Sequence, residues 1–414
     1  MNMKRTVMIA ALMFAPAALA ETLFINDATV HTMSSRAVLQ NADVLVRNGV
    51  IESVGLELSA PADATVIEAG GRPLTPGLFA GITSLGLVEI SLVEHTADAA
   101  LSDADMRPEF DVTPAYNPWS SLVPVTRIEG FSWSMLGADR SGSIMGGQGQ
   151  AVILDGSYDS FAGDRILFVD IGADASAQSA GSRAGQWMLL EQAFAEASTG
   201  ADDSPHSLLT PAGRQALAGF TDGGIVVFNA DRASDILQVL AFSNKHGLAP
   251  VITGGAEAWM VADQLAEAGV PVLLDALLNL PGNFDRIGAR LDNAALLHTA
   301  GVTIAFAGAG SHNARKLRQV AGNAVSNGLP WDAALAALTV NPAIIFGLQA
   351  GFGKIEPGSR ADLVIWSGDP LEVTTAADQV IIGGQAVDMV SRQTLLRDRY
   401  LQENPALPRA YIKP

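Results

Sequence analysis

One pattern narrows the folds open to this chain more than any other. From Gly224 onward, a short apolar run, a loop and a helical stretch follow one another repeatedly. "GIVVFNA" precedes "DRASDILQVLAFSNKHG", and "APVITGG" precedes "AEAWMVADQLAEAG". "VPVLLDA" precedes "NFDRIGARLDNAALLHTAG", and "VTIAFAGAG" precedes "SHNARKLRQVAGNAVSNG". The units repeat at roughly 25 to 30 residues, the spacing of βα units around a parallel sheet. Several helical stretches end at Gly, as C-caps require. Upstream, "GFSWSMLG", "QAVILDG" and "DRILFVDIG" supply further strands at less regular spacing. The expected class is therefore α/β. Periodicity alone fits both a closed eight-stranded (β/α)8 TIM barrel and a doubly wound sheet.

The two ends of the chain read differently. "TLFINDATVHTM", "NADVLVRNGVIESVG" and "TVIEAGGRPLTPG" are rich in β-branched residues and broken by Asn-Gly and Gly-Gly, which predicts strands joined by tight turns. "GKIEPGSRADLVIWSGDP" and "QVIIGGQAV" form a matching block near the C-terminus. Residues 21–74 and 350–414 are expected to make one composite β-domain, with the barrel over 75–349. Two long excursions interrupt the order. Residues 91–126 are acidic and carry Pro108, Pro114, Pro118 and Pro124, and residues 198–213 form the second. Loops of this length in a compact domain serve as lids or binding loops.

The N-terminus has the layout of an export signal. "MNMKR" is basic, "TVMIAALMFAPA" is apolar, and Ala18 and Ala20 supply the small residues of a cleavage site. Residues 1–20 are expected to be removed after Ala20, leaving a periplasmic or secreted protein. No later apolar stretch is long enough to span a bilayer. The chain has no cysteine, which excludes disulfides, thiol catalysis and cysteine metal sites. Its formal charge of −18 argues against nucleic acid as a partner, because such binding needs a basic footprint.

"LTPGLFAG" closing the N-terminal β block, "HNAR" followed by "AGNAVSNGLPWDAALAALTVNPAIIFGL", and the returning "GKIEPGSRADLVIWSGDP" resemble the amidohydrolase superfamily. The likeness is greatest to exported, imidazolonepropionase-like members. It implies a (β/α)8 barrel plus a small β-sandwich made from both chain ends. It also implies hydrolysis of non-peptide C–N bonds by metal ions held at the C-terminal mouth of the barrel. The family's metal positions fall here on Ile82 and Ser84 (first strand), Asn229 (fifth), Gly254 (sixth) and Ala309 (last). The bridging lysine has no counterpart, since no lysine lies between Lys4 and Lys245. The six histidines, His31, His95, His206, His246, His298 and His312, are all more than ten residues apart. The metal motif is thus degenerate. No cofactor is expected, and the family's zinc or similar divalent metal is expected to be absent.

What remains at the mouth is a set of polar residues just after the strands. Asp170 follows "ILFV", Asn229 follows "IVVF", Thr253 follows "PVI", and Asp275 follows "PVLL". Ser311, His312, Asn313 and Arg315 follow the last strand. His312 is a candidate general base, and capping of a local turn is its alternative role. Asp170 and Asp275 are a candidate acid/base pair, and helix capping is the alternative. Arg315 could hold an anionic group or a structural ion pair. "GSIMGGQGQ" lacks the Gly-Lys-Ser/Thr tail of a phosphate loop and reads as a turn or hairpin. "EHTADAALSDAD" lacks calcium-loop spacing and reads as a solvated acidic face. Two functions stay open: a C–N hydrolase working without the family's metal centre, and a pseudoenzyme that binds a small molecule or peptide in the bacterial envelope. Homo-oligomerisation stays open as well.

Overall fold

The computed structural model describes residues 22–36, 38–102, 105–139, 142–179, 181–199, 206–308 and 310–401. The expected signal segment 1–20 lies outside them, as does Ala309.

The β-branched N-terminal block forms β1 (Thr22–His31), β2 (Val38–Arg47) and β3 (Val50–Leu56), an antiparallel meander. The two-residue Asn48–Gly49 turn joins β2 to β3, as that dipeptide favours. β4 (Thr65–Glu68) and β5 (Pro73–Pro76) both run parallel to β1.

The chain then enters the barrel sheet. Its strands are β6 (Leu78–Thr83), β7 (Phe131–Leu136), β8 (Met145–Ile153) and β9 (Phe161–Asp170), then β10 (Ile225–Ala230), β11 (Ala249–Gly254), β12 (Val272–Leu274) and β13 (Ile304–Phe306). They are hydrogen-bonded in sequence order as a nearly closed eight-stranded α/β barrel. From β9 to β13 every pairing is parallel, with a helix after each of β10 to β13, as the repeat predicts. β6 and β7 are also parallel, but β8 runs antiparallel to both β7 and β9.

Glycine explains how β8 fits. A Cβ at Gly149 would lie 1.9 Å from the Leu136 carbonyl oxygen, so only glycine allows the two backbones so close there. The register also shifts between Gly149 and Ala151. "GSIMGGQGQ" is therefore mostly an irregular strand of the barrel wall rather than a turn. A second departure follows β12. The helix expected across "NFDRIGARLDNAALLHTAG" begins only at Asn293, and residues 275–292 form an irregular strap.

After the barrel, the chain returns to the first sheet. β14 (Leu363–Trp366) pairs antiparallel with β5, and β15 (Ala377–Ile382) and β16 (Gln385–Ala386) extend it. The two chain ends thus build one eight-stranded sheet around its own core, which includes Ile25, Val44, Ile51, Leu74, Leu363 and Ile381. The sheet curls on itself: the Ile51 N–H donates to the Ser359 carbonyl (2.9 Å), and the Gly358 N–H donates to that of Ile51 (2.8 Å). The Trp366 indole N–H donates to Thr75 Oγ1 (2.8 Å) between β14 and β5. β5 leads through Gly77 straight into the start of β6, and the Gly77 N–H donates to the Asp362 carbonyl (2.8 Å), so this sheet adjoins the N-terminal end of the barrel. Among the described residues, no helix is long and apolar enough to cross a membrane.

Candidate functional site at the barrel mouth

In a parallel sheet, residues in register on neighbouring strands project side by side. Asp170 pairs in register with Asn229, and Asn229 with Thr253. These three residues therefore form a polar row across the ends of β9, β10 and β11. The Asn229 side-chain amide donates to Asp170 Oδ1 (2.8 Å), and Asp170 is only 8% exposed. The row lines a cavity of about 280 Å³, whose other walls include Ile82, Val227 and Ala307.

A second cavity of about 590 Å³ adjoins it and shares Ile82, Ala138 and Asp139. Ser84, Ser311 and His312 line this larger chamber. The Ser84 N–H donates to Ser311 Oγ (2.9 Å), and the two hydroxyls are 2.8 Å apart. This contact ties the end of β6 to the turn Ser311–Lys316 after β13.

The sequence candidates are not brought to one point. Asp170 lines the smaller cavity, and His312, exposed, lines the larger one. Asp275 lines neither; its Oδ1 accepts the Leu277 N–H (2.9 Å) in a local turn, with no helix starting there for it to cap. Arg315 lines neither as well, and its Nε is buried without a hydrogen-bond partner among the described residues.

The positions where the resemblance expects metal ligands hold different chemistry. Ile82 offers only an alkyl group. The Ser84 hydroxyl is engaged by Ser311, and the Asn229 amide by Asp170. Gly254 has φ +86°, and a Cβ there would meet Asp231 Oδ1 at 2.7 Å and Asn229 Oδ1 at 3.1 Å. Ala309 lies outside the described residues. Among the described residues, no three His, Asp or Glu side chains are grouped so that they could hold a metal ion. A paired centre built on imidazoles does not fit this donor set.

The sequence reading missed the charged network around the mouth. Arg183 bonds Asp235 (2.9 Å) and Asp285, and Arg286 bonds Asp231 (2.6 Å). The aspartate side chains are nearly buried, at 7–9% exposure. Asp285 Oδ2 also accepts the Ala173 N–H (2.7 Å). Glu257 accepts the Ala233 N–H and the Gly288 N–H, both at 3.1 Å. The strap after β12 is thereby stapled to the loops after β9, β10 and β11. The acids in "NADRASD" and "GNFDR" were the available signal, but which arginine each would meet depends on contacts far apart in sequence.

Comparison with known proteins agrees with this architecture. The Amidohydrolase family matches residues 206–389. A crystal structure of an amidohydrolase from Thermotoga maritima is 25% identical, with a TM-score of 0.79, covering 88% of this chain and 99% of that one. N-isopropylammelide isopropylaminohydrolase from Burkholderia multivorans shares the fold at 16% identity and a TM-score of 0.50, over 89% of this chain and 98% of that one. The amidohydrolase tasK of Hapsidospora irregularis is 49% identical over 59 residues, which is 14% of this chain and only 6% of that protein's length.

Proposed function

The chain is an amidohydrolase-superfamily protein, and from the chemistry of its barrel mouth we propose that it is an exported binding protein for a small polar molecule or peptide, without the family's paired metal centre. The observation that carries this reading is the Asp170–Asn229–Thr253 row facing Ile82 across a small cavity. Such a wall offers hydrogen-bond acceptors and donors on one side and an apolar surface on the other. A small pocket of that kind orients a polar ligand. A ligand amide can bond to Asn229 and Thr253 while its hydrocarbon part packs on Ile82 and Val227. The adjoining chamber at Ser84 and His312 gives the rest of the ligand room.

The test combines metal analysis with ligand screening on the mature chain, purified without chelator. Mass spectrometry is expected to find substoichiometric zinc, and a full pair of metal ions per chain would overturn the reading. N-acyl amino acids, cyclic amides and dipeptides are then screened by thermal shift and for turnover. Stabilisation without turnover, lost in Asn229→Ala, is the expected result.

The likeness to the Thermotoga amidohydrolase over most of both chains favours a second reading, hydrolysis of a C–N bond other than a peptide bond. In it, the Asp170 carboxylate takes a proton from the water that attacks the carbonyl and passes it to the leaving nitrogen as the C–N bond breaks, with Asn229 orienting that carboxylate. Turnover that survives purification and disappears in Asp170→Asn would carry this reading over the first.

A further inference from the structure

At the other end of the barrel, a chamber of about 790 Å³ lies between the barrel floor and the sheet built from the chain ends. Arg127, which ends the helix Leu122–Arg127, enters it beside Asp155 of the β8–β9 turn. Asp388, just after β16, lines another part of the wall.

Among the described residues, Arg127, Asp155 and Asp388 line this chamber without forming an ion pair. Arg127 Nη1 donates to the Leu154 carbonyl (3.2 Å), while its Nε is buried with no hydrogen-bond partner among the described residues. Burial lowers its pKa, and the nearby charges of Asp155 and Asp388 oppose that shift. Asp155 Oδ1 is taken by the Ser157 N–H (2.8 Å) and the Ser160 hydroxyl (2.6 Å). Its other oxygen makes no hydrogen bond among the described residues, and neither does the exposed carboxylate of Asp388. Arg360, also in the wall, is committed through Nε to both oxygens of buried Asp362 (2.9 and 3.0 Å). The buried Tyr116 hydroxyl has no partner among the described residues either, and it feels the charges of both Arg127 and Asp155.

A half-desolvated guanidinium without a carboxylate contact is costly, and so is a buried hydroxyl without a partner. Opposite charges held apart around a cavity complement a ligand that carries both signs. We propose that this chamber binds an α-amino acid or short peptide as a zwitterion, with its carboxylate on Arg127 and its ammonium group between Asp155 and Asp388. Charge-assisted bonds at both ends give selectivity for the doubly charged form. The volume falls in the range of small-molecule sites. The site is separate from the mouth and does not depend on what the mouth does.

Isothermal titration of the mature chain carrying Asn229→Ala, which removes the binding proposed for the mouth, with L-alanine and L-alanyl-L-alanine tests this. Saturable binding is expected. N-acetyl-L-alanine and L-alanine amide, each lacking one charge, are expected to bind weaker by about tenfold or more. Arg127→Gln and Asp388→Asn, added to that background, are each expected to weaken the zwitterions by about tenfold. Asp388 is exposed, so its variant reports even where Arg127→Gln compromises folding. Three results in that background would overturn the proposal: no saturable binding, equal binding of the singly charged analogues, or undiminished binding in Asp388→Asn.

Discussion

Replacing Gly254 with alanine should destabilise the protein measurably. Gly254 ends β11 with φ +86°, a conformation that costs a residue bearing a Cβ about 1–2 kcal/mol. The new methyl would stand 2.7 Å from Asp231 Oδ1 and 3.3 Å from its Cγ, well inside contact distance. That carboxylate cannot simply swing away. Its Oδ2 is bonded to Arg286 Nε (2.6 Å), and its Oδ1 accepts the Ala256 N–H (3.2 Å). Losing one hydrogen bond to a charged group costs about 1.5–3 kcal/mol. With partial relaxation, Gly254→Ala should lose about 2–4 kcal/mol in all. Urea unfolding at pH 7, followed by far-ultraviolet circular dichroism, reads this as a lower midpoint at unchanged slope. A loss below about 0.5 kcal/mol, the range of an ordinary surface change, would refute the reasoning. Gly254→His should be no more stable than the alanine variant and should gain no zinc. A metal ligand at the end of β11 would require rebuilding the Asp231–Arg286 contact as well.

Three further outcomes are expected. Arg183→Met leaves the nearly buried Asp235 and Asp285 without their cation and should cost about 3–5 kcal/mol in the same urea assay; an unchanged midpoint would show that the pairs contribute nothing. Burial tends to raise the pKa of Glu196, but bonds from the Leu208 and Leu209 N–H groups, Gln192 and Ser207 outweigh it and hold the group below its ordinary value. A carboxylate depressed in the folded state contributes stability above the ordinary glutamate range and loses it as pH falls through the folded value. Glu196→Gln should therefore flatten part of the stability decline between neutral pH and acid, and an unchanged pH profile would contradict the assignment. Arg318 lies over the Trp366 ring (4.8 Å) and donates to the Pro370 and Thr375 carbonyls (2.7 and 3.0 Å), so Arg318→Met should speed hydrogen exchange across residues 367–376.

The parts of the fold set by local periodicity were legible in the sequence. The βα units from β10 to β13 and the strand-rich ends announce themselves through apolar spacing and Gly or Asn-Gly breaks. The reversed direction of β8 was not legible, because an antiparallel and a parallel strand carry the same apolar alternation. Gly149 and Gly147 hinted at irregularity, but glycine marks turns and close strand contacts alike. At the mouth, Asp170 and Asn229 were found because strand ends locate them. Their direct bond follows from β9–β10 register, which no local pattern encodes. Asp275 looked equivalent to Asp170 by position and differs because its carboxylate turns back onto the Leu277 amide.

The sheet shared by the chain ends also orders events during synthesis. β5 is complete early, yet its neighbour β14 lies almost three hundred residues downstream, as the 291-residue separation of Thr75 and Trp366 shows. At about 5–20 residues per second, that strand waits roughly 15 to 60 seconds for its partner. An open strand edge is an invitation to pair with another chain. β5 begins and ends with proline, Pro73 and Pro76, neither of which can donate a ladder hydrogen bond. The two prolines leave that edge a poor template until β14, which opens the last eighth of the chain, arrives.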